Sequence, residues 1–544
     1  MTRASLILCG IGLERLCITL FALLLAGGSN VALATSVGPT VKLAAGSIRA
    51  ADRDAQGVLE FKGIPYAAPP VGPLRWRPPR PALNWKGIRD ATVFGMRCWA
   101  PPLQGPAQLG GPASEDCLTL NIWTAAHSSD QKLPVMVWVH GGGFQFGASS
   151  EPNTDGTRLA QKGVVLVSFN YRLGIYGFLA HPALDQERPA SGDFGLQDQI
   201  AALKWVRANI ARFGGDPQNI TLFGESAGAM SVGLLMTSPL ASGLFQKAIA
   251  QSGAFWDSEH GSIKTHAEAT ARGRALADRV GHGSIEELRA IPTEVLGNQT
   301  AWNLKQDPVT DAFSPSIDGY VLHDSPARVF AQGRQADVPL LAGWNGAEGM
   351  IFMNRSLPHM SAAGFRSAAA VFFGQDRLAD FSSVYPADTD ATATSSAEAL
   401  NGDLIIADQV WSCLQTDRRT GKASVFAYQF DYRSPYSPAP FHSADINFVF
   451  GMLTPVKMLH GGEPEPRDRE LANQMMSYWV NFARTGNPNG PDLPAWPAYQ
   501  NENPQVMLFD TVTQAAPESG TARFRFLESF RREGRLPEGW REAR

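Results

Sequence analysis

The sequence predicts an α/β fold with a large, mostly parallel central sheet and helices on both of its faces. Short apolar runs rich in β-branched residues recur along the chain, and turn residues bound each run, which is typical of strands buried on both faces. Between them lie segments of helical period, such as 197–213, where apolar residues recur three and four positions apart. The predicted strands are 135–139, 164–169, 220–223, 247–251, 338–343 and 425–430.

The composition is that of a globular protein. The 544 residues are 44% hydrophobic and 18% charged, which excludes a disordered, collagen-like or coiled-coil chain. The net charge of −4 leaves no broad basic surface, so we expect no nucleic-acid partner. No linker interrupts the sequence, and we predict a single domain over 35–544, in which the segment 361–402, rich in Ala, Ser and Asp, is a helical insertion.

The first 34 residues have the pattern of a cleaved signal peptide. Arg3 and Arg15 give the start a positive character, the apolar run 16–26 follows, and Ala-Leu-Ala ends at Ala34. A membrane-spanning helix needs about 20 apolar residues, which this run does not reach. We therefore predict a secreted or periplasmic protein that is cut after Ala34 and has no stable membrane anchor.

The motif Gly-Glu-Ser-Ala-Gly at 224–228 is the strongest indication of chemistry. It follows the predicted strand 220–223 and precedes the apolar segment 229–236, which suits a buried helix. This strand–turn–helix context is the one a nucleophile elbow requires, with Ser226 strained at the tip and glycines where a Cβ would collide. A turn without catalytic function remains the alternative for so short a motif.

A second glycine motif follows the strand 135–139. The sequence His-Gly-Gly-Gly-Phe at 140–144 lets the backbone approach a bound carbonyl closely. We expect the N–H groups of Gly142, Gly143 and Ala227 to form an oxyanion hole. The alternatives are a flexible glycine loop and a phosphate-binding loop, but the Gly-Lys-Ser/Thr ending of phosphate-binding loops is missing.

Together these segments resemble the type-B carboxylesterases of the α/β-hydrolase fold, the group that includes cholinesterases. The resemblance extends from about residue 41 to residue 499. Its motifs are FKGIPYAAPPVGPLRW at 61–76, SEDCLTLNIW at 114–123, HGGGFQFG at 140–147, FNYRLGIYGFL at 169–179, the long block 192–228 that ends in GESAG, and AIAQSG at 248–253.

The resemblance implies a serine carboxylesterase that acts on small-molecule esters, with helical insertions over its active site. It also implies a triad in the chain order nucleophile, acid, base. No metal or organic cofactor is expected, since metal-binding patterns such as His-Glu-x-x-His are missing from the sequence. An acyltransferase with the same triad and a binding protein of the same fold are the alternatives.

His442 is the predicted base. It lies in the loop after the strand 425–430 and precedes an acid and Val-Phe-Gly, as in the family pattern, with Asp445 where many relatives have Glu. His359 is the alternative.

Glu348 is the predicted acid, because it follows the strand 338–343 and precedes a glycine, as the family's acid does. Asp318 is the alternative, although an Asp-Gly pair is commonly a turn.

The resemblance also gives supporting roles to Glu225 and Ser252. The glutamate beside the nucleophile assists the site electrostatically in relatives, and a role in hydrogen bonding within the fold is the alternative. Ser252 matches a serine that relatives place near the triad.

Cys98 and Cys117 enclose 18 residues rich in Pro and Gly, a loop that a disulfide would stabilise by roughly 3 kcal/mol. Disulfides suit an exported chain, and relatives pair the matching cysteines. The alternative is that all three mature cysteines are unpaired, and we expect Cys413 to be a buried thiol.

The substrate and the oligomeric state stay open. The candidate pocket residues are Phe144, Phe146, Trp256, Trp344, Phe352 and Phe441.

Overall fold

The structure is a computed structural model that describes residues 38–100, 111–187, 190–254, 263–281, 284–298, 313–351, 361–454 and 461–533. The predicted signal peptide at 1–34 lies outside the described residues. So do the alternative base His359 and the pocket candidates Trp256 and Phe352.

A ten-stranded mixed sheet dominates the described residues, in the spatial order β10-β9-β8-β7-β6-β5-β3-β4-β2-β1. Neighbouring strands are parallel from β9 to β4 and antiparallel at both edges. The strands are β1 Leu59–Pro65, β2 Thr119–Thr124, β3 Leu133–Val139, β4 Val165–Phe169, β5 Gly215–Glu225, β6 Lys247–Gln251, β7 Leu340–Asn345, β8 Val425–Phe430, β9 Gln505–Phe509 and β10 Gln514–Pro517.

The inner strands are apolar on both faces because helices cover both sides of the sheet. In β3, Val135 and Val137 belong to the core on one face, whereas Met136 and Trp138 belong to the core on the other. All six predicted strands are present. The prediction missed the outer strands β1, β2, β9 and β10, in part because polar residues such as Asn121 interrupt their apolar runs.

The helices connect the strands across the two faces of the sheet. The predicted helix 197–213 forms α4 and a following 3-10 turn, Ile210–Phe213, which ends at Gly214. The α-helices of the described residues are α1 Thr157–Gln161, α2 Gly174–Phe178, α3 Pro182–Gln186, α4 Phe194–Asn209, α5 Ala227–Thr237, α6 His266–Val280, α7 Ile285–Ala290, α8 Thr293–Asn298, α9 Pro326–Ala331, α10 Ala362–Phe373, α11 Leu378–Val384, α12 Asp390–Gly402, α13 Asp408–Thr420, α14 Ile446–Phe450, α15 Pro466–Thr485 and α16 Thr521–Arg532.

The segment 361–402 is helical, as the sequence predicts, and forms α10, α11 and α12. These helices pack with α16 around their own apolar core, in which Phe373 contacts Phe381 and Phe530. A π-helical turn, Asp403–Ala407, joins α12 directly to α13.

Cys98 and Cys117 form a disulfide, with their Cα atoms 4.9 Å apart, which confirms the predicted pairing. Cys413 is buried in α13, also as predicted. Across the described chain, no helix combines the length and the hydropathy that a membrane span needs.

Candidate active site

The carboxyl ends of five adjacent parallel strands meet at one edge of the sheet, where α/β proteins place their ligands. The candidate triad residues, the expected oxyanion-hole residues and Ser252 each follow one of these strands, and Glu225 is the last residue of β5. The loops supply Gly142 and Gly143 after β3, Ser226 and Ala227 after β5, Ser252 after β6, Glu348 after β7 and His442 after β8.

Ser226 has a backbone conformation that non-glycine residues seldom adopt, with φ 55° and ψ −125°. Its N–H donates to the carbonyl of Gln251 at 2.9 Å, which anchors the turn to β6. A Cβ on Gly228 would lie 2.0 Å from the carbonyl oxygen of Val139, so this position accepts only glycine. The strained turn predicted from the motif is therefore present, and contacts of the main chain fix it.

The glycine loop after β3 passes directly beside Ser226. A Cβ on Gly141 would lie 3.2 Å from Cβ of Ser226, and Gly142 and Gly143 have φ values of 104° and 60°. His140 holds the start of the loop, since its Nδ1 lies 2.9 Å from the carbonyl oxygen of Gly141. Burial lowers the pKa of His140 to about 4, so the ring is neutral and its Nδ1–H donates this bond.

His442 and Glu348 form a direct pair. Nδ1 of His442 lies 2.5 Å from Oε2 of Glu348, and both side chains are buried. The other oxygen of Glu348 accepts the N–H of Asn345 at 2.7 Å and the hydroxyl of Ser252 at 2.6 Å. Both carboxylate oxygens are therefore engaged, and Ser252 contacts the acid itself.

A second carboxylate lies on the opposite side of the imidazole. Nε2 of His442 is 3.3 Å from Oε1 of Glu225, which also accepts the hydroxyl of Ser443. Burial by itself would lower the pKa of His442, but the charges of Glu225 and Glu348 outweigh it and raise this pKa. Burial raises the pKa of Glu225, while the charge of His442 and the bond from Ser443 oppose the rise.

Asp445 connects the loop of His442 to three strands. Its Oδ2 accepts the hydroxyl of Tyr428 at 2.7 Å and the amide of Gln251 at 2.9 Å. The side-chain amide of Asn345 donates to Oδ1 of Asp445 at 3.3 Å and to the carbonyl of Phe441 at 2.8 Å. The sequence indicated Asp445 through its motif but missed these partners, which lie on strands far apart in the chain.

Asp318, the alternative acid, belongs to the turn that the Asp-Gly pair suggested. Its Oδ1 accepts the backbone N–H groups of the residues that follow it, at 3.0 Å from Tyr320, 2.8 Å from Val321 and 2.9 Å from Leu322. The structure pairs His442 with Glu348 instead.

Two of the candidate pocket residues have a packing role. Phe144 packs edge-on against Phe178, and Trp344 packs edge-on against Phe524, each with ring centroids 5.5 Å apart. Within the described ranges, no group of three or more His, Cys, Asp or Glu side chains has an arrangement that could hold a metal ion.

The carboxylesterase family model matches residues 37–527, almost the whole described chain. The chain belongs to the carboxylesterase family. This carboxylesterase is 38% identical to fumonisin B1 esterase of Sphingopyxis macrogoltabida over 83% of each chain. It is 35% identical to para-nitrobenzyl esterase of Bacillus subtilis, over 85% of this chain and 94% of that protein.

Solved structures agree with this assignment. A carboxylesterase of Geobacillus stearothermophilus has a TM-score of 0.78 and 34% identity, and the match covers 90% of this carboxylesterase and 99% of that chain. A PNB esterase has a TM-score of 0.77 and 33% identity over the same shares. The α/β-hydrolase fold and the ester hydrolase activity predicted from the motifs are thereby confirmed.

Proposed function

We propose that this carboxylesterase hydrolyses small-molecule esters through an acyl-enzyme on Ser226, with His442 as the general base and Glu348 as its orienting acid. The observation that carries the proposal is the 2.5 Å contact between Nδ1 of His442 and Glu348. The opposite nitrogen, Nε2, faces Glu225, the neighbour of Ser226 in the chain. The imidazole therefore lies between the acid and the glutamate beside Ser226, which supports a triad with that serine.

The reaction proceeds in two steps. Oγ of Ser226 attacks the ester carbonyl while Nε2 of His442 takes the serine proton, and the alcohol then leaves with that proton. Water, activated by His442, attacks the acyl-enzyme and releases the carboxylic acid. The N–H groups of Gly142, Gly143 and Ala227 hold the oxyanion in both steps, which the positive φ of both glycines supports.

Glu225 has a supporting role in this proposal. A base must be neutral to accept the serine proton, yet two ionised carboxylates beside His442 would favour the imidazolium. Since burial raises its pKa, Glu225 holds a proton more readily than an exposed glutamate does. In its protonated form Glu225 adds no charge beside His442 and so favours the neutral base, whereas in its ionised form it raises the pKa of His442.

The test compares Ser226→Ala with Ser231→Ala on p-nitrophenyl acetate and butyrate. Ser231 is a matched control, because it is a buried serine on α5 whose hydroxyl bonds to the helix carbonyl of Ala227. We expect Ser226→Ala to lose at least about 10³-fold in kcat while Ser231→Ala keeps most of it. Mass spectrometry after organophosphate treatment should find the adduct on the peptide that contains Ser226.

Near wild-type hydrolysis by Ser226→Ala would overturn the proposal. A folded wild-type protein with neither hydrolysis nor adduct would be a binding protein of this fold. Acyl transfer to an added alcohol in preference to water would identify an acyltransferase.

Two further observations support a substrate class and a location. Relatives are named for fumonisin B1 and for para-nitrobenzyl, and we propose the class that esterases share, a small-molecule carboxylic ester. The Cys98–Cys117 disulfide suits an oxidising compartment. With the N-terminal pattern, it supports a secreted or periplasmic domain over 35–544, and sequencing the N-terminus of the exported protein would test the cut after Ala34.

A further inference from the structure

The end of α12 lies directly against the candidate acid. A Cβ on Gly402, the last residue of α12, would lie 2.7 Å from the N atom of Gly349 and 3.1 Å from Cβ of Glu348. A Cβ on Gly349 would lie 2.1 Å from the carbonyl oxygen of Glu398. The acid loop and α12 therefore meet backbone to backbone.

A hydrogen bond adds to this contact. The side-chain amide of Asn401 donates to the carbonyl oxygen of Gly349 at 3.2 Å, and both groups are buried. Glu348 and the residue after it thus depend on α12 for their position, and any displacement of the last turn of α12 moves them.

The π turn 403–407 begins immediately after this contact. π turns are rare irregular insertions in helices and often lie at functional sites. A buried aspartate flanks the turn at each end, Asp403 at its first residue and Asp408 just after its last, and buried carboxylates need partners.

The last helix of the described residues, α16, supplies both partners. Nε of Arg523 lies 2.6 Å from Oδ2 of Asp403, which also accepts the hydroxyl of Tyr385 at 2.8 Å. Nη2 of Arg531 lies 3.1 Å from Oδ1 of Asp408. The two arginines are eight positions apart on α16, about two helical turns, so both lie on one face of that helix.

We propose that α16 positions the catalytic acid: Arg523 and Arg531 hold the two ends of the π turn, and the end of α12 in turn holds Glu348 against His442. Arg523 and Arg531 are positioning residues in this inference, which rests on the proposed function. Helix α16 therefore acts on catalysis through the position of Glu348.

Loosening the π turn has a kinetic signature. A displaced Glu348 stabilises the imidazolium less, so kcat falls while KM stays constant. The charged groups that face His442 are Glu348, Glu225 and Asp445, and each raises its pKa. Moving Glu348 away lowers the pKa of His442. The acid limb of the pH profile, where kcat/KM declines as His442 becomes protonated, therefore shifts to lower pH.

The test measures kcat, KM and the pH profile of Arg523→Gln and Arg531→Gln. We expect kcat to fall on the order of tenfold in each, with KM within about twofold and the acid limb at lower pH. Arg523→Lys keeps the charge but not the forked geometry, and it should recover part of kcat.

Arg377→Gln is the matched control. Arg377 also holds α16, through the hydroxyl of Ser529 at 2.9 Å and the carboxylate of Glu533, but it lies beside α11 and not at the π turn. Its kcat and pH profile should match the wild type.

Gly402→Ala tests the same contact without removing an ion pair. Alanine favours the helix itself, so a fall in kcat with the same pH shift reports displacement of Glu348. This variant decides the question if the arginine variants do not fold.

Folded arginine variants, or Gly402→Ala, with wild-type kcat and pH profile would overturn the inference. Full activity in Ser226→Ala would instead overturn the proposed function, so the two failures are distinct.

Discussion

The two halves of the candidate site are held in different ways. In the nucleophile half, main-chain contacts fix Ser226 and the glycine loop, as where Gly228 meets the carbonyl of Val139. In the acid–base half, the backbone of the acid loop packs against α12, but side-chain hydrogen bonds orient the carboxylate of Glu348 and the imidazole of His442, as does that of Ser252.

This difference separates two kinds of sensitivity. An added Cβ in the nucleophile half clashes with backbone, which cannot move without disturbing the sheet, so the fold is affected first. A changed donor or acceptor in the acid–base half leaves the backbone in place and affects the chemistry first. The predictions below test this division.

Glu348→Gln has the largest expected effect on catalysis. The amide keeps the shape of the side chain but cannot stabilise the imidazolium, so we expect kcat to fall by about 10⁴-fold with little change in melting temperature. Steady-state kinetics and thermal unfolding measure the two quantities. Asp318→Asn is the control, since its amide oxygen still accepts the turn N–H groups. Equal losses in both variants would contradict the assignment of the acid.

Gly228→Ala should affect the fold instead. A Cβ 2.0 Å from the carbonyl oxygen of Val139 forces β3 and α5 apart, and we expect a loss of roughly 3 kcal/mol or more in the free energy of unfolding. Gly143→Ala is the comparison, because no described atom lies within 4 Å of its Cβ position. Its positive φ costs about 1 kcal/mol. Urea unfolding distinguishes them, and equal stabilities would refute the steric account.

Asp445→Asn tests whether side chains beyond the triad hold the base. In asparagine, an NH2 donor replaces one of the two acceptor oxygens. In one orientation this donor faces the donors Tyr428 and Gln251, and in the other it faces the donor Asn345. We expect kcat to fall about 10- to 100-fold with KM preserved, because the loop of His442 loses its orientation. An unchanged kcat would show that the pair with Glu348 suffices.

Glu225→Gln should have the smallest effect, a shift in pH dependence. The carboxylate of Glu225 raises the pKa of His442, so its removal lowers that pKa. The acid limb of kcat/KM should move to lower pH by about one unit, since His442 then stays neutral in more acidic solution. A limb that stays in place or moves to higher pH would show that Glu225 does not act on His442 through charge.

The sequence predicts the nucleophile half well, because its constraints are local. The elbow at 224–228 lies within five residues, and the contacts that demand glycine arise wherever a strand turns sharply into a helix. The pair of Glu348 and His442 came from chain order and from the family resemblance, since no short-range pattern joins residues 94 positions apart.

The sequence by itself determined the inner strands, the stop of the helical segment at Gly214, the elbow and the family. Periodicity, turn residues and glycine sterics all act over a few residues, so they are visible in the chain. The tertiary structure alone decided the bond from Ser252 to Glu348, the bond from Ser443 to Glu225 and the contact of Gly402 with the acid loop. Hydrogen bonds and close contacts between distant segments exist only after packing has brought them together, and burial then sets the strength of their electrostatics.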